Sequence, residues 1–164
     1  MPLAEAWRRA RRGPWRAAVA EESMIPALQP GDWLLIDPIP RRWPRRGTVV
    51  VIRQPGTGLL VVKRVAAGPG DVVLAGTEYV RLDDEAWLLG DGGGHSIDSR
   101  HYGPVGLDAL VGRAWFRYWP LRRIGVIPRR RSTSSRARSS VTSWGKLRKK
   151  WRVTRRPRLG GRDL

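Results

Sequence analysis

In this chain of 164 residues the side chains best suited to chemistry are one serine and one lysine. Cys is absent, which removes thiolate nucleophiles, thiolate zinc sites and disulfides together. With two histidines, His95 and His101, a His-rich metal site is not expected. A Ser–His–acid triad would need one of them. Both lie in or beside a Gly-rich loop, and the chain has no G-x-S-x-G turn to partner them. A Ser–Lys pair is the other route to a nucleophile. Ser23 stands in Ser23-Met24-Ile25-Pro26, where Pro26 fixes its own φ and biases Ile25 towards extended backbone. A stiff turn lowers the entropy of reaching an attacking geometry, although an ordinary exposed turn serine has the same local pattern. Lys63 lies inside Leu59-Leu60-Val61-Val62-Lys63-Arg64-Val65. Strand alternation places it with Val61 and Val65, where desolvation would lower its pKa and free an amine to act as a base. A lysine that snorkels to water fits the same run. The third cluster, Gly90-Asp91-Gly92-Gly93-Gly94-His95-Ser96-Ile97-Asp98-Ser99-Arg100, puts hydroxyls, carboxylates and a guanidinium in one loop. There Asp98 and Arg100 can pair, and a hydroxyl can orient a nearby amine.

The elements that must position these groups are short strands. Apolar runs at Trp33–Ile36, Thr48–Ile52, Leu59–Val65, Asp71–Leu74, Glu78–Leu82, Ala86–Leu89 and Val111–Trp119 are bounded by Gly, Pro or Asp. Their spacing predicts a mostly β barrel or sandwich. No P-loop or G-x-G-x-x-G occurs, and the glycines at 92–94 precede no helix. No run reaches the ~20 apolar residues of a membrane-spanning helix. Residues 8–12 are too rich in Arg for a secretory h-region.

The net charge of +18 is unevenly spread. Residues 1–16 hold five Arg and one Glu, for +4, and residues 129–164 hold fourteen Lys and Arg and one Asp, for +13. Residues 17–128 hold thirteen basic and twelve acidic residues, for +1. The expected organisation is a basic segment over 1–16, helical over 3–12, then a domain over 17–128 and a disordered basic tail over 129–164. Within the tail, Trp144 to Val153 would make a basic amphipathic helix suited to an anionic surface. A non-enzymatic binder of nucleic acid or anionic membrane, working through both ends, is therefore the alternative function.

In order along the chain, these clusters resemble the signal peptidase I family of Ser–Lys peptidases. Ser23-Met24-Ile25-Pro26 is similar to the nucleophile box and Gly47-Thr48-Val49-Val50-Val51-Ile52 to the strand box. Lys63-Arg64-Val65-Ala66-Ala67-Gly68-Pro69-Gly70-Asp71 resembles the lysine box. Gly90-Asp91, Ser96-Ile97-Asp98-Ser99-Arg100 and Gly103-Pro104-Val105 resemble the last box. The resemblance implies a signal peptidase/LexA-like coiled β-sheet fold, with Ser23 as nucleophile and Lys63 as general base. It implies Ser96 as the hydroxyl that bonds the lysine and Asp98 with Arg100 as a structural pair. Met24, Pro26 and Arg64 are its supporting residues. The implied partner is a protein precursor whose N-terminal leader is cut after small residues, and the resemblance implies no metal and no cofactor.

Gly92 stands where the family has Asn, Ala27 where it commonly has Thr, and Thr48 where it commonly has Asp. Glu21 occupies a position at which a hydroxyl can complete an oxyanion hole, and an ionised carboxylate cannot donate there. With 22 residues ahead of Ser23, the layout lacks the expected membrane anchor. Together with Arg117-Tyr118-Trp119-Pro120-Leu121, it resembles the nickel-type superoxide dismutase maturation proteases. The expected location is then cytoplasmic, or peripheral at a membrane through the basic ends. A self-cleaving repressor-type peptidase would need a DNA-binding domain ahead of the serine, for which 22 residues are too few.

Overall fold

A computed structural model describes residues 13–38 and 42–130. The helix expected over 3–12 and the Trp144 to Val153 segment lie outside those residues. Among the described residues nine strands are formed: β1 Trp15–Ala18, β2 Trp33–Pro38, β3 Val49–Arg53, β4 Leu60–Ala67, β5 Val72–Ala75, β6 Glu78–Arg81, β7 Trp87–Leu89, β8 Leu110–Trp119 and β9 Gly125–Val126. One four-residue helix, α1, covers Ser99–Tyr102. The main sheet runs β1-β2-β8-β3-β4-β7, with β9 pairing β8, and β5 with β6 forms a separate hairpin. All the strand pairs are antiparallel. The chain is mostly β, as its short bounded apolar runs predict.

The central strands are apolar on both faces because each face is covered. Val49 and Val51 of β3 join a core cluster with Val19, Met24, Leu28, Leu34, Ile36 and Val111. Val50 and Ile52 face the opposite cluster, with Val61, Val65, Leu88, Val105 and Trp43. A strand buried on both sides carries an unbroken hydrophobic run, which is why Val49–Ile52 does not alternate in polarity. Any polar side chain in the middle of neighbouring β4 is thereby forced into an apolar interior.

The folded unit differs at both edges from the boundaries expected. Trp15 and Arg16 belong to β1, where Trp15 pairs Ile36 and Arg16 pairs Leu35. Trp15 and Ala17 pack on the first cluster. A four-residue strand is too short for alternation to be recognised ahead of the sheet that pairs with it. At the other end the Pro128 carbonyl accepts a hydrogen bond from Arg64 at 3.0 Å. The Arg130 backbone lies against Gly47, where an added Cβ would stand 2.6 Å from the Arg130 oxygen. With φ at +81°, Gly47 is required there on both conformational and steric grounds.

Leu34 is fully buried in the cluster that seats the serine-bearing loop. Leu34→Ala is expected to lower unfolding stability by about 2–5 kcal/mol in chemical denaturation. A loss under about 1 kcal/mol would contradict this placement of the core.

Candidate active site

Ser23 sits in the loop between β1 and β2, held at several points. Met24 and Leu28 are 1% and 0% exposed and anchor the loop in the core. The Leu28 N–H donates to the Met24 carbonyl at 2.9 Å, and Val19 exchanges backbone hydrogen bonds with Asp32 and Gly31. Asp32 is fully buried, accepts from the Gln29 N–H at 2.9 Å, and pairs with Arg117 at 3.2 Å and Arg123 at 2.6 Å. Arg117 also donates to the Ala27 carbonyl at 3.1 Å. The loop is thus clamped to the far end of β8. The Ile25–Pro26 peptide is cis, and Pro26 is exposed. This clamp is not legible in the sequence. Its signals are an acid in the turn Pro30-Gly31-Asp32 and arginines some 85 positions away, and such a separation defeats local pattern reading.

Lys63 lies on β4 and is 1% exposed. Its Nζ stands 2.9 Å from Ser23 Oγ and 3.2 Å from Ser96 Oγ. Ser96 is itself 1% exposed, whereas Ser23 is half-buried and reachable from solvent. Burial pushes the Lys63 amine below the ordinary lysine range. The charges of Glu21 and Asp98 oppose that shift, and that of Arg100 adds to it. Glu21 is exposed, so its effect on the amine is exerted through space from the rim.

The loop that brings Ser96 to Lys63 is fixed by two ion pairs. Asp98 is fully buried and takes Arg100 in a two-pronged pair at 2.9 and 2.7 Å. It also accepts from the backbone N–H groups of Gly90 at 3.0 Å and Arg100 at 3.1 Å. Burial raises the Asp98 carboxyl, but these bonds outweigh it and hold the group below the usual carboxylate range. The second pair joins β4 to the loop: Arg64 grips Asp91 at 2.8 and 2.6 Å. Its remaining nitrogen donates to the Gly47 carbonyl at 2.7 Å. Arg64 is 3% exposed, so the adjacent positions 63 and 64 send two cationic side chains to opposite buried faces. The sequence motif around Gly90-Asp91 names no partner for Asp91; the Arg64 fork supplies one.

Glycine is required where the loop meets the serine. At Gly90 an added Cβ would collide with Ser96 Oγ and stand 2.5 Å from the Ser23 carbonyl. The Gly92 N–H donates to that carbonyl at 2.9 Å, tying the two loops together. Neither histidine joins the group. His95 is exposed, and His101 Nδ1 accepts the Asp98 backbone N–H at 3.3 Å as part of the α1 cap. Among the described residues no His, Cys, Asp and Glu cluster could hold a metal ion. No helix among them is long and apolar enough to cross a membrane.

The Lys63 amine is expected to titrate below the ordinary lysine range when followed by NMR in isotopically labelled protein. In Glu21→Gln the midpoint is expected to fall further, because the charge that favours the ammonium is gone. A midpoint near 10.5 in the parent, or one that rises in Glu21→Gln, would contradict the electrostatics described.

Residues 15–86 and 80–119 match the family model for signal peptidase, peptidase S26. Mitochondrial ATP-independent inner membrane protease subunit 1b of Arabidopsis thaliana is 35% identical over 118 residues, covering 64% of this chain and 70% of that protein. Probable signal peptidase I-2 of Synechocystis sp. is 32% identical over 142 residues, covering 66% and 65% respectively. Mitochondrial inner membrane protease subunit 1 of Homo sapiens is 31% identical over 116 residues, covering 64% and 69%. The family match spans more than half of the chain and takes in both the Ser23 loop and the Lys63 strand, and the chain belongs to the signal peptidase family, peptidase S26.

Proposed function

We propose that the chain is a serine endopeptidase that removes an N-terminal leader from a protein precursor, using Ser23 and Lys63 as its catalytic pair. The observation that carries this reading is the 2.9 Å contact between a solvent-reachable serine hydroxyl and a buried, pKa-lowered amine. Neutral Lys63 takes the Ser23 proton as Oγ attacks the scissile carbonyl. The resulting ammonium returns that proton to the leaving amine, which leaves an acyl-enzyme on Ser23. Lys63 then deprotonates the water that attacks the ester, and the ammonium returns that proton to Ser23 Oγ as the acyl group leaves, which restores both groups. Ser96 is a positioning residue: its hydroxyl holds Nζ towards Ser23. Among the described residues the Ser23 N–H donates to no backbone carbonyl, so it is open to a developing oxyanion. The exposed Glu21 offers no donor there when ionised.

The relatives' names include signal peptidases and mitochondrial inner membrane proteases, which supports precursor processing as the reaction class. Maturation of a nickel superoxide dismutase precursor is a narrower reading, supported by the resemblance at Arg117-Tyr118-Trp119-Pro120-Leu121. In the fold Arg117 also holds Asp32 and the Ala27 carbonyl, a scaffold duty that suits any precursor. A cytoplasmic protein held peripherally through its basic ends remains the proposed location. Salt-sensitive partition between soluble and membrane fractions would test it, and salt-independent partition would contradict it.

Ser23→Ala and Lys63→Ala are each expected to lower cleavage of a leader-bearing precursor by at least about 10³-fold, with the fold intact by circular dichroism. Parallel assays on a nickel superoxide dismutase precursor and an exported-protein precursor would name the class. Full activity in either variant would overturn the mechanism.

A further inference from the structure

A cleft of about 660 Å³ lies away from Ser23 and is lined by Asp37, Arg42, Trp43, Arg45, Arg113 and Arg129, with Pro38 and Pro44 beside them. Arg113 is neutralised by Asp37 at 2.6 Å. Arg42, Arg45 and Arg129 have no carboxylate partner among the described residues. Trp43 forms a rigid wall: it is 8% exposed, packs in the cluster that contains Val50, and donates its indole N–H to the Asp84 carbonyl at 3.1 Å. One row of cross-strand neighbours links the cleft to the lysine: Asp37 pairs Arg113, Arg113 pairs Val50, and Val50 pairs Lys63. Side chains of directly paired residues share a sheet face, so cleft and lysine lie on the same face. Two strand spacings separate the Arg113 and Lys63 backbones, roughly 10 Å.

We propose that this cleft is an exosite for acidic side chains of the polypeptide being cleaved, so that precursors with Asp or Glu a few residues from the scissile bond are preferred. It rests on the peptidase reading for its occupant, since a chain held at Ser23 is the molecule brought to this face. Guanidinium groups match carboxylates in planar, two-pronged pairs, and three unpaired ones outweigh the single internal acid. An extended chain advances about 3.3 Å per residue, so an acid four to eight residues from the bond can round Trp43 and reach the arginines. A lipid surface fits this cleft less well. The exposed Trp33 and Trp119 lie at the opposite ends of β2 and β8 from Asp37 and Arg113.

The test uses the full chain and paired synthetic leader peptides with small residues before the scissile bond. One peptide of each pair carries an Asp/Glu block at that distance and the other the matching Asn/Gln block. On Ser23→Ala, fluorescence anisotropy is expected to show the acidic peptide bound at least about fivefold more tightly than the neutral one. That preference is expected to vanish in the added triple substitution Arg42→Gln, Arg45→Gln, Arg129→Gln. It is expected to survive in the control Arg81→Gln, Arg122→Gln. With Ser23 intact, the acidic peptide is expected to have the lower KM at an unchanged kcat. Equal binding of the two peptides, or a preference that survives the triple substitution, would overturn the exosite. So would competition by an oligonucleotide or anionic vesicles that outmatches the acidic peptide and depends on the same three arginines. Failure of the active chain to cleave either peptide would count against the peptidase reading alone, because the binding comparison does not depend on cleavage.

Discussion

The structure depends on keeping one amine out of water. Lys63 stands on a central strand whose neighbours are covered on both faces, and it is 1% exposed. An ammonium there has lost its hydration, and no carboxylate forms an ion pair with it among the described residues. Its hydrogen-bond partners are two hydroxyls, which can serve an amine in either protonation state. Burial therefore weakens the amine's hold on its proton, the direction of shift a general base needs.

The ion pairs explain how three loops converge on that amine. Arg64 and Asp91 tie the lysine strand to the loop after β7, and Asp98 with Arg100 stiffens the same loop so that Ser96 reaches Nζ. Asp32 with Arg117 and Arg123 clamps the Ser23 loop to β8. Buried ion pairs are weak evidence for added stability, because desolvating two charges offsets most of their attraction. Removing one partner leaves a charge stranded, so such pairs act as constraints on geometry. Gly90 and Gly92 complete the arrangement by letting backbone approach where any side chain would collide or crowd.

Much of this was legible in the chain because the signals are local. The strand runs are short, apolar and bounded by turn formers, and most of the observed strands begin within a residue or two of those runs. Lys63 stood out because a cation in the middle of Leu59–Val65 is costly wherever that strand is covered. Trp15–Ala18 and Gly125–Val126 are not legible in this way, since strands of four and two residues carry no periodicity of their own. Asp32 with Arg117, Arg64 with the Pro128 carbonyl, and the arginines around Trp43 were equally hidden. Those groupings exist only once distant segments pair, and a sequence with 32 Lys and Arg offers too many candidates to choose among.

The central claim is that neutral Lys63 takes the Ser23 proton, and it is tested most directly by comparing two pH midpoints. One is the NMR titration of the Lys63 amine; the other is the pH dependence of kcat/KM for cleavage of a leader-bearing precursor. The account predicts that kcat/KM rises with pH as Lys63 loses its proton, with the same midpoint as the amine, below the ordinary lysine range. A rate that is flat through the Lys63 titration, or that rises with a midpoint unrelated to it, would contradict Lys63 as the base.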